Sequence, residues 1–159
     1  MKTVNHSNHN SCCFLFQRAL VVADETPVQL RSAAVLYNLA LSQHLVGVLE
    51  GATRKVVAAK RLYLLALDLV KRHSQENGSR QALLVSLCIA NNLGETYLQE
   101  LQDHKEANKC FSFAREILAR VSASESFASA GDEAEDEYGF FYLNAMVRST
   151  GSTIATPAA

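Results

Sequence analysis

The sequence predicts an all-α fold of stacked antiparallel helix pairs, and three observations support that prediction. Apolar residues recur at helical spacing through several stretches, and no alternating strand pattern of useful length occurs between residues 29 and 148. Two short phrases also recur about 50 residues apart. The chain has 159 residues, 48% of them apolar, which is enough to bury one core. We therefore expect a single helical domain over residues 12–148.

The two ends of the chain contain little that could be buried. Residues 1–11 are predicted to be a disordered leader and residues 149–159 a disordered tail. Residues 12–23 hold a brief apolar run that fits either a short helix or a strand, because so short a run has no decisive period. Residues 24–27 are predicted to interrupt regular secondary structure, since Pro27 disfavours helix in the residue before it.

Five helices are predicted between these ends. Gly47 and Gly51 bracket the end of the first, and a small, polar, acidic stretch at 122–137 predicts a mobile loop before the last. Its acidic residues, Asp132 to Glu137, are expected to be solvated and to favour the N-terminus of the next helix. The predicted helices span 29–46, 53–73, about 80–101, about 104–121 and about 137–148.

One phrase of the sequence occurs in the first helix and again in the third. Residues 36–40 read Leu-Tyr-Asn-Leu-Ala, and residues 90–94 read Ala-Asn-Asn-Leu-Gly. The interval from Asn38 to Asn92 is 54 residues. Small residues at matched places let neighbouring helices approach closely, so the phrase predicts that the helices form repeated pairs.

The second and fourth helices also match each other. Their shared positions are Ala59, Tyr63 and Ala66 in one and Ala107, Phe111 and Ala114 in the other. Together the matches predict repeat pairs at about 29–73 and 80–121. Weaker echoes predict partial repeats at 12–23 and, from Leu143-Asn144-Ala145, at 137–148.

These residues resemble the tetratricopeptide repeat, which places leucine and a small residue in the first helix and a small–aromatic–alanine pattern in the second. The repeats here are about 48 residues long, against ~34 in the family, and lack the proline that usually ends the second helix. In length they resemble the extended repeats of kinesin-light-chain-like proteins. The resemblance implies a short right-handed α-solenoid that binds another protein and catalyses nothing.

The resemblance also implies a binding groove, because the first helices of such repeats line a concave side that holds ligands. A peptide or helix of a partner protein would contact Tyr37, Asn38, Leu41, His44, Asn91, Asn92, Glu95, Leu98 and Gln99. The alternative is that these positions pack against the neighbouring helices or the 122–137 loop, because terminal repeats often serve as caps. Glu95 would favour a partner with a basic residue. Since no lysine or arginine occupies these positions, C-terminal tails of chaperones are not expected as ligands.

Other chemistry finds little support in the sequence. Four potential zinc ligands occur near the start of the chain: His6, His9, Cys12 and Cys13. They lack a paired C-x-x-C motif, so we expect no metal or other cofactor. Cys88 and Cys110 lie on apolar helix faces, where cysteine behaves as a small hydrophobic residue. No phosphate loop or nucleophile elbow is present, and we expect no enzyme activity.

The balance of charge and hydropathy limits the kinds of partner. The net charge of −1 shows no excess of basic residues, which a nucleic-acid-binding protein would need. We also expect no membrane span, because no uninterrupted apolar run comes close to the ~20 residues that a span requires. We therefore expect a cytoplasmic interaction scaffold or adaptor that binds neither nucleic acid nor membrane. An RNA-binding helical repeat, an all-α enzyme and a non-functional fragment of a longer repeat array are the alternatives.

Overall fold

A computed structural model describes residues 14–76, 79–123 and 132–150, and these residues form five α-helices and no strand. The prediction of an all-α fold is confirmed. A short π-helical turn, Thr96–Glu100, continues the third helix. The helices are α1 Val28–Glu50, α2 Thr53–Glu76, α3 Arg80–Glu95, α4 His104–Ser122 and α5 Asp132–Thr150.

Local chemistry sets several of the helix ends. Helix α1 ends at Gly51, whose φ of 64° lies in the left-handed region that glycine adopts most easily. The Ser79 hydroxyl accepts a hydrogen bond from the Ala82 amide at 3.2 Å and begins α3. The Asp103 carboxylate accepts one from the Glu106 amide at 3.1 Å and begins α4. Each cap satisfies backbone groups that a helix end leaves without an internal partner.

Helices α1 and α2 pack as an antiparallel pair. Near their joint, a Cβ added to Gly47 would lie 2.9 Å from Val56 Cγ2, so the backbone of α1 closely approaches α2. Farther from the joint, the Tyr37 and Tyr63 rings lie with their centroids 5.8 Å apart. Only two residues connect the helices, and the helices touch both near this connection and far from it. They must therefore run antiparallel along each other.

Helix α4 packs between α3 and α5. A Cβ added to Gly94 of α3 would lie 2.7 Å from Phe111 Cε1 of α4, so glycine gives the Phe111 ring its place. On the other side, the Tyr142 hydroxyl of α5 donates to the Leu118 carbonyl at 3.3 Å. Five alanines of the repeated pattern are fully buried in the helical core, namely Ala40, Ala59, Ala66, Ala90 and Ala107.

The structure differs from the predictions for two segments. Residues 14–23 form neither a helix nor a strand, so the described part of the partial repeat predicted at 12–23 is not helical. The loop predicted over 122–137 is too long, because α5 begins at Asp132 and includes the acidic run up to Glu137. Carboxylates in the first turns of a helix favour its N-terminus, which accounts for the earlier start.

Parts of three predicted segments lie outside the described residues. They are the leader at 1–11, most of the acidic loop (124–131) and most of the tail (151–159). Ser149 and Thr150, the first two residues assigned to the tail, belong to α5.

Helix α1 is long and apolar enough to cross a membrane by length and composition, with a mean hydropathy of 1.3 over its most apolar window. The expectation that no stretch approaches this length therefore has to be revised. Core helices of soluble proteins pass the same criterion, and α1 buries Leu30, Ala33, Tyr37 and Ala40 within the helical core.

The approach of α3 to α4 makes a specific prediction for Gly94. We expect Gly94→Ala to destabilise the protein by about 1–2 kcal/mol, because displacement of the Phe111 ring outweighs the gain of about 1 kcal/mol in helix propensity. Gly139→Ala in α5 is the matched control, since nothing lies within 4 Å of a Cβ added there. The control should be neutral or stabilising in urea unfolding. Equal stabilisation of both variants would contradict the close approach.

Candidate functional site

Asn92 of α3 binds both backbone groups of a single residue, Phe16. Its Oδ1 accepts from the Phe16 amide at 2.8 Å, and its Nδ2 donates to the Phe16 carbonyl at 2.9 Å. The side-chain amide thereby makes the two hydrogen bonds that a residue of a neighbouring β-strand would make with Phe16. Since the N–H and C=O of one residue point to the same side in an extended chain, the backbone at Phe16 is extended where it crosses α3.

Asn38 of α1 makes the same pair of bonds with Leu20. Its Oδ1 accepts from the Leu20 amide at 2.8 Å, and its Nδ2 donates to the Leu20 carbonyl at 2.9 Å. Asn38 and Asn92 are the matched asparagines of the repeated phrase, and their ligands are four residues apart. The repeat in sequence thus produces a repeated site, in which two amides hold the backbone of residues 14–20, hereafter the N-terminal segment.

Further polar groups complete this site. The Tyr37 hydroxyl donates to the Phe16 carbonyl at 2.9 Å and itself accepts from Asn92 Nδ2 at 3.0 Å. Burial raises the pKa of Tyr37 far above its ordinary value, so the phenol remains a donor. Asn91 Nδ2 donates to the Phe14 carbonyl at 3.0 Å. Three neighbouring residues of α1 and α3 therefore bond to two carbonyls of the N-terminal segment.

Aromatic contacts anchor the same segment through its side chains. The Phe16 ring lies 4.9 Å from the Phe141 ring and 5.6 Å from the Phe140 ring, centroid to centroid. The Arg148 guanidinium lies 4.5 Å from the centre of the Phe14 ring, within the range of a cation–π contact. Leu15 is buried in the core. Residues 17–19 are exposed, so the anchors lie on both sides of an open stretch.

Glu95 has a cation within the chain. Arg148 of α5 binds it through two nitrogens, with Nη2 2.5 Å from Oε2 and Nε 2.9 Å from Oε1. The Glu95 side chain is only 3% exposed, and Asn144 Nδ2 lies 3.4 Å from Oε1. A bidentate, buried pair of this kind leaves Glu95 without room for a basic residue of a partner. The expected role of Glu95 as a contact for such a residue is therefore replaced by a tie between α3 and α5.

His44 belongs to the core beneath the site. It is 2% exposed, and burial lowers its pKa to about 4, so the imidazole is neutral at pH 7. The Thr96 hydroxyl donates to the Asn92 carbonyl at 2.7 Å and lies 3.4 Å from His44 Nδ1. If both contacts are hydrogen bonds, Nδ1 bears the proton. The ring also meets Tyr63 edge-on, with centroids 6.1 Å apart.

The remaining predicted residues do not join the cluster of amides. Leu41 is buried in the hydrophobic core. Leu98 and Gln99 are half-buried in the π-helical turn beyond α3, where the Gln99 carbonyl accepts from Gln102 Nε2 at 2.9 Å. Of the nine predicted groove residues, Tyr37, Asn38, Asn91 and Asn92 are the ones that bond to the N-terminal segment.

Helix α5 supplies the residues that sequence reasoning missed. Asn144 Nδ2 donates to Asn91 Oδ1 at 2.5 Å and lies 3.4 Å from the Phe14 carbonyl. Its signal was present, because Leu143-Asn144-Ala145 echoes the phrase around Asn92. Arg148 has no matched partner in either repeat, so the pattern could not have found it.

The site shows no assembled metal centre. Among residues 14–76, 79–123 and 132–150, no group of three or more metal-binding side chains comes together. The four potential zinc ligands from which no metal site is expected, His6, His9, Cys12 and Cys13, lie outside the described residues. Burial raises the pKa of Cys110 to about 12, which keeps that thiol protonated at neutral pH.

No family model, curated protein or solved structure matches this chain. The resemblance to tetratricopeptide repeats stays a prediction from the repeated phrases of the sequence.

The two asparagines should differ in their effect on stability. We expect Asn92→Ala to cost about 3 kcal/mol, because Asn92 is fully buried and its loss leaves the Phe16 amide without a partner. Asn38→Ala should cost about 1 kcal/mol, since Asn38 is only half-buried and water can replace its bonds. The exposed Asn108→Ala is the control and should stay within about 0.5 kcal/mol of the wild type. Urea unfolding measures all three, and a larger loss at Asn38 than at Asn92 would contradict this account.

Proposed function

We propose that the protein is a tetratricopeptide-like interaction module that binds an extended peptide of another protein in a groove lined by α1, α3 and α5. One observation carries this proposal: Asn38 and Asn92 each bind the N–H and C=O of one residue in a non-helical segment. Side-chain amides that satisfy both backbone groups of a crossing chain form a peptide site by their chemistry.

This kind of recognition combines affinity with tolerance of sequence. Bonds to the backbone depend little on which side chains the peptide carries, as in complexes where a peptide adds to a sheet edge. Side-chain contacts then supply selectivity. Here the Phe140 and Phe141 rings and the Arg148 guanidinium offer contacts for aromatic residues.

The arrangement of the helices supports the likeness to a repeat protein. Helices α1 and α3, which hold the matched asparagines, are the first helices of two consecutive pairs and also contact each other. Helix α5 follows in the place of a first helix in a third pair, and its Asn144 lies beside Asn91. We therefore propose a short solenoid whose first helices share one face.

The chemistry of the site favours binding over catalysis. His44 is neutral and buried, the Cys110 thiol is protonated, and Glu95 is neutralised by Arg148. Among the described residues, none of these three groups forms a nucleophile–base pair with another, which supports an adaptor without enzyme activity or cofactor. A cytoplasmic location, with α1 as a core helix, is part of the same proposal.

Selection from a displayed library of random peptides tests this function. We expect the full chain to enrich a set of peptides because its amides bind an extended backbone. The Asn38→Ala/Asn92→Ala variant should fail to enrich them, since it lacks both amides. The readout is sequencing of the retained peptides after several rounds.

Asn108→Ala is the matched control for the selection, because it removes an exposed amide from α4. It should enrich the same peptides as the wild type. Retention of one peptide set by all three proteins, or of no set by any of them, would contradict binding through the asparagines.

A further inference from the structure

We infer that the N-terminal segment is a tethered ligand of the groove, which a partner displaces, and that it reveals the pattern of that partner. The partner is an extended peptide with an aromatic residue at the position bound by Asn92 and an aliphatic residue four positions later, at the position bound by Asn38. This inference rests on the proposed function and names the ligand class of the same site.

The contacts of the N-terminal segment define this pattern. Phe16 is paired with Asn92 and packs its ring against both the Phe140 and the Phe141 ring of α5. Leu20 is paired with Asn38 and is half-buried against the core. Arg18 and Ala19 are exposed between them, so these two positions of a ligand tolerate different side chains. A second aromatic residue two positions earlier would meet Arg148, as Phe14 does, and an aliphatic residue between the two aromatic ones would enter the core, as Leu15 does.

The manner in which the segment is held makes exchange feasible. It belongs to no helix or strand, so its departure breaks no hydrogen-bond ladder within regular structure. Its backbone is bound by side-chain amides and the Tyr37 hydroxyl. A second peptide can satisfy each of these groups in the same way, whereas an apolar core would offer it no such bonds.

Most of the connection to α1 is also exposed. Val21 is 95% exposed and residues 23–25 are exposed as well, whereas Val22 is half-buried and Thr26 is buried. Over its exposed part the link constrains the segment mainly by tethering it. A short tether gives a local concentration of about 1 mM. If the segment binds with a Kd of about 10 µM, it lowers the apparent affinity of a competing peptide about 100-fold.

Competition by a labelled peptide tests the inference on the full chain. The probe is a fluorescent synthetic peptide with the sequence of residues 14–22, and its Kd is measured by fluorescence anisotropy. The chain with Phe16→Ala/Leu20→Ala keeps every groove residue and loses the anchors of its own segment. We expect it to bind the probe at least 10-fold more tightly than the wild type.

Two controls separate competition from other effects. The Arg18→Ala/Val21→Ala chain changes exposed residues near the same anchors and should bind the probe like the wild type. A probe with alanine in place of its own Phe16 and Leu20 should bind none of the proteins. A chain with a protease recognition sequence inserted after Val21 retains all native residues, and cleavage should tighten probe binding at least 10-fold.

Each other outcome overturns the inference. The segment does not compete if the probe binds equally before and after cleavage and equally to the wild type and the Phe16→Ala/Leu20→Ala chain. The proposed peptide binding would remain supported in that case. If no folded form binds the probe, the proposed function fails with it. Unfolding upon cleavage, followed by circular dichroism, would make the segment a permanent part of the fold. A dimer observed by light scattering would show that the segment binds the groove of a second copy of the chain.

Discussion

The structure depends on the need of buried amides for hydrogen-bond partners. Asn92 is fully buried beside Asn91, and Asn144 lies within hydrogen-bonding distance of Asn91. Asparagine side chains in such a place cost free energy unless both their oxygen and nitrogen are bonded. An extended chain provides a donor and an acceptor on one side, which suits a primary amide. The N-terminal segment supplies both groups to Asn92 and to Asn38. Asn91 Oδ1 accepts instead from Asn144, whose own Oδ1 has no hydrogen-bond partner among the described residues. The helices are arranged so that α1, α3 and α5 all reach the segment.

Small residues make this arrangement possible. Gly94 gives the Phe111 ring of α4 its place against α3, and Gly47 allows α1 to approach α2 near their joint. Once the pairs are close, the first helices lie near enough for Tyr37 of α1 to bond with Asn92 of α3. The buried Glu95–Arg148 pair then ties α5 to α3. Packing of apolar surface and satisfaction of polar groups therefore depend on each other.

Helical periodicity and the repeated phrase gave the helices and the two matched asparagines in advance, because both depend on residues close in sequence. Residues 14–23 could not be placed, since their conformation is fixed by Asn38 and Asn92 rather than by a local period. The Glu95–Arg148 pair spans 53 residues and follows only from the packing of α5. His44 has the spacing of a groove residue, but it is buried beside Thr96, a contact between residues 52 positions apart that no local pattern predicts.

Amide hydrogen exchange of the N-terminal segment, followed residue by residue by NMR, tests the central claim most directly. If the asparagines hold its backbone, the amides of Phe16 and Leu20 exchange slowly, while those of the exposed Arg18 and Ala19 exchange near the rate of an unfolded chain. Equal and rapid exchange at all four residues would contradict the account, because the two amides would then not be bonded to Asn92 and Asn38.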